Sequence, residues 1–313
     1  MRNKLFTLAA FCLFLLGWAT DAGAKTLHEQ FRGRDLVIVR PHKVKSIPAP
    51  VVFVLHGGGG SAEKMYKQLD LTKWAKRDGV VVVYPSAREH HWNDGRKGGV
   101  DLFKGPVPDD VAYLRALLKD LKRRGIAQTG PAWLMGVSNG GMMTQTLMCK
   151  APDIFRAAVS MIGNLPEAHK DCKPVPARSI LLINSDRDPL VPWAGGQVGF
   201  RKNRGLVLST MQSFDFWRKA NGCDGPVKIS NLANTYLADK TRPVRYNATR
   251  CEAGHRVELI RVKGAGHSVP MPTGLRYKPG TRRYKKRERM LGHFNHDFDS
   301  RDMAWAFFKS NGL

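Results

Sequence analysis

The sequence is short of acidic residues, with 26 Asp and Glu against 51 Lys and Arg, so its 313 residues carry a formal net charge of +25. It has only five cysteines, and no Cys or His spacing resembles a zinc site. Internal repeats and Pro/Gly/Ser-rich linkers are also absent. Beyond residue 18 no apolar run approaches the roughly 20 residues that a membrane-spanning helix needs. These absences argue against a metalloprotein, a repeat protein and a multi-span membrane protein, and they imply no cofactor or metal.

The first 24 residues have the pattern of an export signal. Arg2 and Lys4 precede an apolar run over residues 5–18, and Ala22-Gly23-Ala24 fits a small-residue cleavage site. The run is shorter than a bilayer span requires. We therefore predict a signal peptide over residues 1–24 and a secreted or periplasmic mature protein over residues 25–313, with no transmembrane segment.

Removal of that segment leaves four cysteines, which are Cys149, Cys172, Cys223 and Cys251. An even number in an oxidising compartment predicts two disulfides. Three pairings are possible. Cys149–Cys172 with Cys223–Cys251 is favoured because it closes two short, separate loops.

Strand and helix patterns alternate along the mature chain. This alternation is typical of an α/β domain in which helices flank a mostly parallel central sheet, and one domain is the expectation for this length. The predicted strands are 35–39, 51–55, 80–84, 132–135, 157–162, 179–184 and 257–262, and the predicted helices are 63–76, 109–124, 140–150, 208–220 and 299–309. Residues 268–298 form a long, basic insertion before the last helix, and connections of that length are usually functional or mobile.

The pentapeptide Gly136-Val137-Ser138-Asn139-Gly140 has the pattern G-x-S-x-G. It lies between a predicted strand and a predicted helix, which places Ser138 on a strand-to-helix turn, the position of a nucleophile elbow. The helix N-terminus adds partial positive charge where an oxyanion would develop. The pattern predicts Ser138 as a nucleophile.

A glycine run, His56-Gly57-Gly58-Gly59-Gly60, follows the strand 51–55 directly. Glycines let bare backbone approach a ligand and direct N–H groups towards it. We predict that the amides of Gly58 and Asn139 form an oxyanion hole, with Gly57 and Gly59 as near alternatives to Gly58. A phosphate-binding loop is not indicated, because no Lys-Ser/Thr follows the glycines.

A carboxylate and a histidine follow later strands, in the chain order expected after an elbow serine. Asp188 comes four residues after the strand 179–184, and Asp186 competes with it for the role of orienting acid. His267 follows the last strand in Gly264-Ala265-Gly266-His267, and it is the predicted general base. His255, His293 and His296 lack this placement, and His90 and His91 precede the serine.

Together these motifs resemble the secreted polyhydroxybutyrate depolymerase/feruloyl esterase family of α/β-hydrolases. The resemblance extends through Trp92-Asn93-Asp94-Gly95-Arg96 and Asp188-Pro189-Leu190-Val191-Pro192 and covers most of residues 35–309. It implies a Ser138–Asp188–His267 triad and ester hydrolysis through an acyl-enzyme. Asn184-Ser185-Asp186 stands where the family commonly has His-Gly-Thr, and Val269 stands where a tryptophan often follows the histidine. No extra substrate-binding domain of the kind that polymer depolymerases carry is evident, so a soluble or oligomeric ester is expected rather than crystalline polyester.

The expected function is hydrolysis of short acyl, feruloyl-type or hydroxyalkanoate-oligomer esters. Two alternatives are a serine peptidase of the same fold and a non-catalytic envelope protein that binds anionic polysaccharide. The basic run within residues 276–289 favours anionic partners, and the export signal argues against nucleic acid. Because the insertion begins next to His267, we expect it to shape substrate access.

Overall fold

The computed structural model describes residues 24–41, 48–98, 102–200, 204–272 and 278–313. The predicted signal peptide, residues 1–24, lies outside the described residues except for Ala24. Within the described ranges, no helix combines the length and the apolar character needed to cross a membrane.

A ten-stranded sheet runs through the molecule, with the strand order β1-β2-β4-β3-β5-β6-β7-β12-β11-β10. The strands are β1 (Ala24–Phe31), β2 (Arg34–Pro41), β3 (Val51–Leu55), β4 (Val81–Pro85), β5 (Ala132–Val137), β6 (Phe155–Met161), β7 (Ser179–Ser185), β10 (Lys228–Asn231), β11 (Arg242–Asn247) and β12 (Val257–Lys263). From β4 to β12 every neighbouring pair is parallel, whereas the outer strands pair antiparallel. A separate antiparallel pair joins β8 (Gly196–Gln197) to β9 (Leu206–Val207).

Seven α-helices occur in the described part of the chain, and six of them cover the two faces of the sheet. They are α1 (Ala62–Gln68), α2 (Thr72–Asp78), α3 (Asp110–Arg123), α4 (Asn139–Lys150), α5 (Thr210–Ala220), α6 (Arg282–Leu291) and α7 (Ser300–Lys309). Phe53 belongs to the core shared with α3, α4 and α5. Its neighbours Val52 and Val54 belong to the opposite core, shared with α1, α2 and α7. Because both faces are covered, the central strands are apolar throughout rather than alternating. This is the predicted α/β-hydrolase arrangement.

Two predicted segments differ from the structure. The helix expected over residues 63–76 is two helices, separated at residues 69–71, where Leu69 and Leu71 are fully buried. The hydroxyl of Tyr84 donates to the Leu69 carbonyl at 2.9 Å and accepts from the Leu71 amide at 3.1 Å, which satisfies the backbone at the break. The basic insertion contains the ten-residue helix α6, where no helix was predicted.

The structure pairs Cys149 with Cys172 and Cys223 with Cys251. The first pair ties the C-terminal end of α4 to the loop after β6, and the second ties the end of α5 to the segment before β12. Each closes a short loop, with sequence separations of 23 and 28 residues. This is the pairing that the spacing favours.

Candidate active site

Ser138 occupies the turn between β5 and α4, with φ 57° and ψ −120°. Positive φ is costly for a residue that has a Cβ atom, and such strain persists only where the surroundings enforce it. The flanking glycines allow this packing. A Cβ at Gly136 would lie 2.2 Å from the Gly140 carbonyl oxygen, and one at Gly140 would lie 2.5 Å from the Leu55 carbonyl oxygen. The turn therefore presses directly on the end of β3, which brings the glycine run next to Ser138.

Ser138, His267 and Asp188 are hydrogen-bonded in series. The distance from Ser138 Oγ to His267 Nε2 is 3.0 Å, and that from His267 Nδ1 to Asp188 Oδ2 is 2.6 Å. Because the Asp188 carboxylate can only accept, Nδ1 carries the proton and Nε2 is left to accept from the serine hydroxyl. The histidine side chain is 11% exposed and that of Asp188 is 2% exposed. The contact between acid and base is thus shielded from water.

Asp188 and Asp186 have different partners, although both follow β7. The second oxygen of Asp188 accepts from the amides of Leu190 and Val191, at 2.8 Å each. Asp186 instead forms an ion pair with Arg261 at 2.8 Å and accepts from the Gly264 amide at 2.7 Å. Asp188 therefore contacts the histidine, while Asp186 ties the end of β12 to the end of β7.

The glycine run is held by the buried side chain of His56. Its Nε2 accepts from the Ala87 amide at 2.9 Å, so Nδ1 carries the proton and donates to the Gly57 carbonyl at 2.7 Å. Burial lowers the pKa of His56 to about 4, against the weaker effect of the Gly57 bond, which raises it. The ring is neutral near pH 7, and its two hydrogen bonds hold the glycine run in place.

Two amides near Ser138 are suited to an oxyanion. Asn139 is the first residue of α4, so its N–H has no acceptor within the helix. Gly58 lies beside it, since a Cβ at Gly58 would lie 3.8 Å from Asn139 Cβ. The Gly59 amide is already bonded to the His90 carbonyl at 2.8 Å. Gly58 and Gly57 both line the cleft above Ser138, and Gly59 does not.

A buried polar cluster fixes the side chain of Asn139. Asn139 Nδ2 donates to Asp94 Oδ2 at 2.8 Å, and Asn139 Oδ1 accepts from the Trp92 amide at 2.8 Å. Asp94 is in turn paired with Arg96 at 2.8 Å, and both side chains are 3% exposed. This cluster ties the Trp92–Arg96 segment to the start of α4 and holds the backbone that carries the Asn139 amide.

The loop that carries His267 is bound to the end of the basic helix. The Gly266 amide donates to the His293 carbonyl at 2.8 Å, and the His267 amide donates to the Leu291 carbonyl. Leu291 and Arg287 of α6 also line the cleft of about 290 Å³ that opens over Ser138. The insertion thus forms one wall of the candidate site.

The histidines that were not predicted as the general base lie outside this hydrogen-bonded series. His293 pairs with Glu288 at 2.8 Å, and His296 contacts the Met271 carbonyl at 2.8 Å. His90 contacts the Gly60 carbonyl, and His91 lines the cleft. His255 lies in the segment between Cys251 and β12. In the part of the chain that the structure describes, no group of three His, Cys, Asp or Glu could hold a metal ion.

Sequence reasoning gave no role to several residues that frame the site. Asp94 and Arg96 belong to a motif that supports only the family resemblance, and His56 is, in the sequence, only the start of the glycine run. The only local signal was the spacing of Asp94 and Arg96, an acid and a base two residues apart in one motif. No local signal could have placed Leu291 or Arg204 at the cleft, because both reach it through the tertiary fold.

No protein-family model matches the chain. A protein named "Putative esterase NocK" from Nocardia uniformis subsp. tsuyamanensis is 30% identical over 240 residues, which cover 74% of this chain and 68% of that protein. Feruloyl esterase B from Neurospora crassa is 28% identical over 123 residues, which cover 39% of this chain and 41% of that protein.

Among solved structures, an acetyl xylan esterase from Aspergillus awamori matches 80% of this chain and 95% of its own, with a TM-score of 0.53 and 15% identity. That likeness shows the α/β-hydrolase fold. The similarity to NocK extends over two thirds of both chains and shows the family. The chain belongs to a family of esterases, the carboxylic-ester hydrolases built on the α/β-hydrolase fold.

Proposed function

We propose that the protein is an exported serine esterase in which Ser138 is the nucleophile, His267 the general base and Asp188 the orienting carboxylate. The observation that carries the proposal is the hydrogen-bonded series of the three side chains, with Ser138 Oγ 3.0 Å from His267 Nε2 and His267 Nδ1 2.6 Å from Asp188. These distances are within the reach that a nucleophile and its base require.

In the acylation half, Ser138 Oγ attacks the ester carbonyl while its proton passes to His267 Nε2. The carbonyl oxygen becomes an oxyanion, which accepts hydrogen bonds from the amides of Gly58 and Asn139. The C–O bond to the alcohol then breaks, and the alcohol leaves with the proton from His267. The acyl group remains on Ser138 as an ester.

In the deacylation half, a water molecule attacks the acyl-enzyme and gives a proton to the same nitrogen of His267. The second tetrahedral intermediate collapses, the carboxylic acid leaves, and the proton returns to Ser138. Asp188 stabilises the imidazolium that forms in each half and holds the ring in one orientation. The Leu190 and Val191 amides fix the carboxylate for that task.

The substrates that we propose are short acyl, feruloyl-type or hydroxyalkanoate-oligomer esters. The names feruloyl esterase B and acetylxylan esterase among the relatives support the first two classes, and the resemblance of the motifs to polyhydroxybutyrate depolymerases supports the third. Export is supported by the two disulfides. Strand β1 begins at Ala24, the last residue of the proposed signal peptide, so cleavage there would leave seven of its eight residues.

The test is turnover of 4-nitrophenyl acetate and butyrate by the purified mature chain and by Ser138→Ala. We expect turnover and fluorophosphonate labelling in the parent and neither in the variant. Normal turnover by a correctly folded Ser138→Ala protein would refute the proposal. A parallel panel of feruloyl, acetyl-xylan, hydroxybutyrate-oligomer and peptide substrates ranks the ester classes and separates an esterase from a peptidase. Binding of anionic glycans without any hydrolysis or labelling would favour a non-catalytic role.

A further inference from the structure

The cleft over Ser138 is lined by cations from three separate parts of the chain. Arg96 comes from the loop after β4, Arg204 from the turn before β9, and Arg287 from α6. His91 lies among them, and no Asp or Glu is present among the described residues of the lining. Although Arg96 is paired with Asp94, a cleft lined by this many cations attracts anions, because the low-dielectric sides of a cleft focus the field.

Arg96 has an unused donor at this wall. Its Nε and Nη2 bind the carboxylate of Asp94 at distances between 2.8 and 3.0 Å. Its Nη1 is buried and has no hydrogen-bond partner in the described part of the structure, although the side chain is only 3% exposed. Buried guanidinium donors are almost always satisfied in folded proteins. An acceptor supplied by a bound molecule would complete the set.

The positive charges of Arg204 and Arg96 also affect the imidazole of His91. The pKa of His91 is lowered chiefly by burial, and after burial by the charges of Arg204 and Arg96. A group that titrates is a local probe of potential. The positive potential of the two arginines therefore reaches His91. This histidine lies in the part of the cleft beside Gly58 and Ser138.

Arg287 differs from the other cations of the insertion in where it lies. Tyr284 is the buried residue of α6, and Arg287 and Leu291 follow it at helical spacing on the side that lines the cleft. The remaining cations of the helix are exposed, and these are Arg282, Arg283, Lys285, Lys286 and Arg289. The basic insertion thus contributes one charge to the cleft wall itself and places the others on the outer surface.

We propose that the natural substrate is an ester that carries a carboxylate or another anionic group in its acyl or alcohol part, and that Arg204 and Arg287, with Arg96 behind them, bind this group. The inference rests on the proposed esterase function and names the substrate class of that same site. Guanidinium groups suit such a ligand because each can donate two parallel hydrogen bonds to one carboxylate. A half-ester of a small dicarboxylic acid and an ester on an acidic polysaccharide share this chemistry.

The experiment compares kcat/KM for two matched pairs of esters at 150 mM salt. The first pair, mono-4-nitrophenyl glutarate and 4-nitrophenyl pentanoate, places the charge on the acyl side. The second pair, 4-acetoxybenzoate and its methyl ester, places the charge on the alcohol side. We expect the anionic member of at least one pair to be preferred about tenfold or more, and the pair that shows the preference identifies the side that faces the arginines.

The variant is Arg204→Gln with Arg287→Gln, and the quantity followed is the ratio of kcat/KM for the anionic ester to that for its neutral partner. We expect this ratio to fall at least about tenfold, since a hydrogen bond to a charged group is worth roughly that factor. Lys285→Gln with Lys286→Gln is the matched control, because it removes two charges from the outer surface of the same helix. We expect the control to shift the ratio less than about twofold, since exposed charges are screened within about 8 Å at this salt.

Each outcome decides the matter. The substrate assignment is overturned if neither anionic ester is preferred. It is also overturned if the ratio of kcat/KM values falls equally in the lysine control variant. In both cases, turnover of the neutral esters leaves the esterase proposal standing. Absence of hydrolysis of all four esters overturns both. If the double variant does not fold, Arg204→Gln alone supplies the test, because Arg204 is exposed.

Discussion

The backbone amide of His267 donates a hydrogen bond of 2.6 Å to the carbonyl oxygen of Leu291, the last residue of α6. The contact joins the proposed general base to a helix that begins fifteen residues further along the chain. Helix α6 is itself anchored by Tyr284, which packs against Phe294 with ring centroids 5.1 Å apart. The position of the imidazole therefore depends on the folding of the basic insertion.

The closest point of this contact lies at Gly266. A Cβ there would lie 1.8 Å from the Leu291 carbonyl oxygen and 2.5 Å from Gly292 Cα, so the two segments would have to separate. We expect Gly266→Ala to lower kcat about 100-fold, which is the usual effect of a displacement of about 1 Å in a catalytic group. We expect the free energy of unfolding to fall by about 1–3 kcal/mol. Ester turnover and urea denaturation measure the two effects.

Gly130→Ala is the matched control for that variant. The nearest atom to its added Cβ would be Gln128 Nε2 at 3.8 Å, an ordinary contact at the surface. This variant should keep the parent kcat. Equal turnover by Gly266→Ala and Gly130→Ala would show that the contact with Leu291 does not position His267.

The different partners of Asp186 and Asp188 lead to a second prediction. Asp188→Asn should lower kcat about 10⁴-fold, because an amide at this position favours the wrong imidazole tautomer and stabilises no imidazolium. Asp186→Asn should lower kcat less than about tenfold, because it breaks only the ion pair with Arg261 and weakens the bond to Gly264. Steady-state kinetics on 4-nitrophenyl butyrate compare the two variants directly. A larger loss in Asp186→Asn would reverse the assignment of the acid.

Much of the central sheet could be predicted from the sequence. Strands such as Val51–Leu55 and Val81–Pro85 are short apolar runs that need no information beyond their own residues. The serine turn could also be predicted, because the glycines that permit it lie two residues on either side. The order of serine, acid and histidine along the chain then restricted the candidate acid to Asp186 or Asp188 and the candidate base to His267.

The outer parts of the fold could not be predicted in this way. Strand β10 (Lys228–Asn231) has a single apolar residue, Ile229, and is exposed throughout, so no apolar–polar alternation marks it. It pairs antiparallel with β11 at the edge of the sheet. Helix α6 consists mostly of charged residues, and it is stabilised by a single buried side chain, Tyr284, together with contacts made at its C-terminal end. Both elements depend on tertiary contacts that lie outside a local window.

The disulfide Cys149–Cys172 leads to a prediction about stability. It closes a loop of 23 residues at the end of α4, the helix that begins next to Ser138. In the chain-entropy account such a loop contributes about 3 kcal/mol, because the link restricts the unfolded chain. We expect the double variant Cys149→Ala with Cys172→Ala to lose about that free energy of unfolding in urea. Cys223→Ala with Cys251→Ala, which opens a loop of similar length, should lose a similar amount.

Reduction of the parent protein provides a check on that prediction. The parent in excess dithiothreitol should lose stability, while a variant that lacks all four cysteines should be insensitive to the reductant. An unchanged unfolding midpoint in the reduced parent would mean that the disulfides do not contribute to its stability.

His56 leads to a prediction about pH. Burial lowers its pKa from 6.5 to about 4 in the folded protein. Between these values the unfolded chain binds a proton at His56 that the folded protein does not, so stability rises with pH across this window and is fully present above about pH 6.5. On acidification to pH 4 we expect His56 to cost about 3 kcal/mol of the free energy of unfolding.

His91, His169 and His255 also have lowered pKa values and add to the pH dependence of the parent's stability. In His56→Gln the side-chain oxygen can still accept from the Ala87 amide but cannot titrate. Urea denaturation between pH 4 and 7 measures the slope of the free energy of unfolding against pH. In the variant this slope should be smaller than that of the parent by the equivalent of about one proton. Equal slopes would show that His56 is not held neutral in the folded protein.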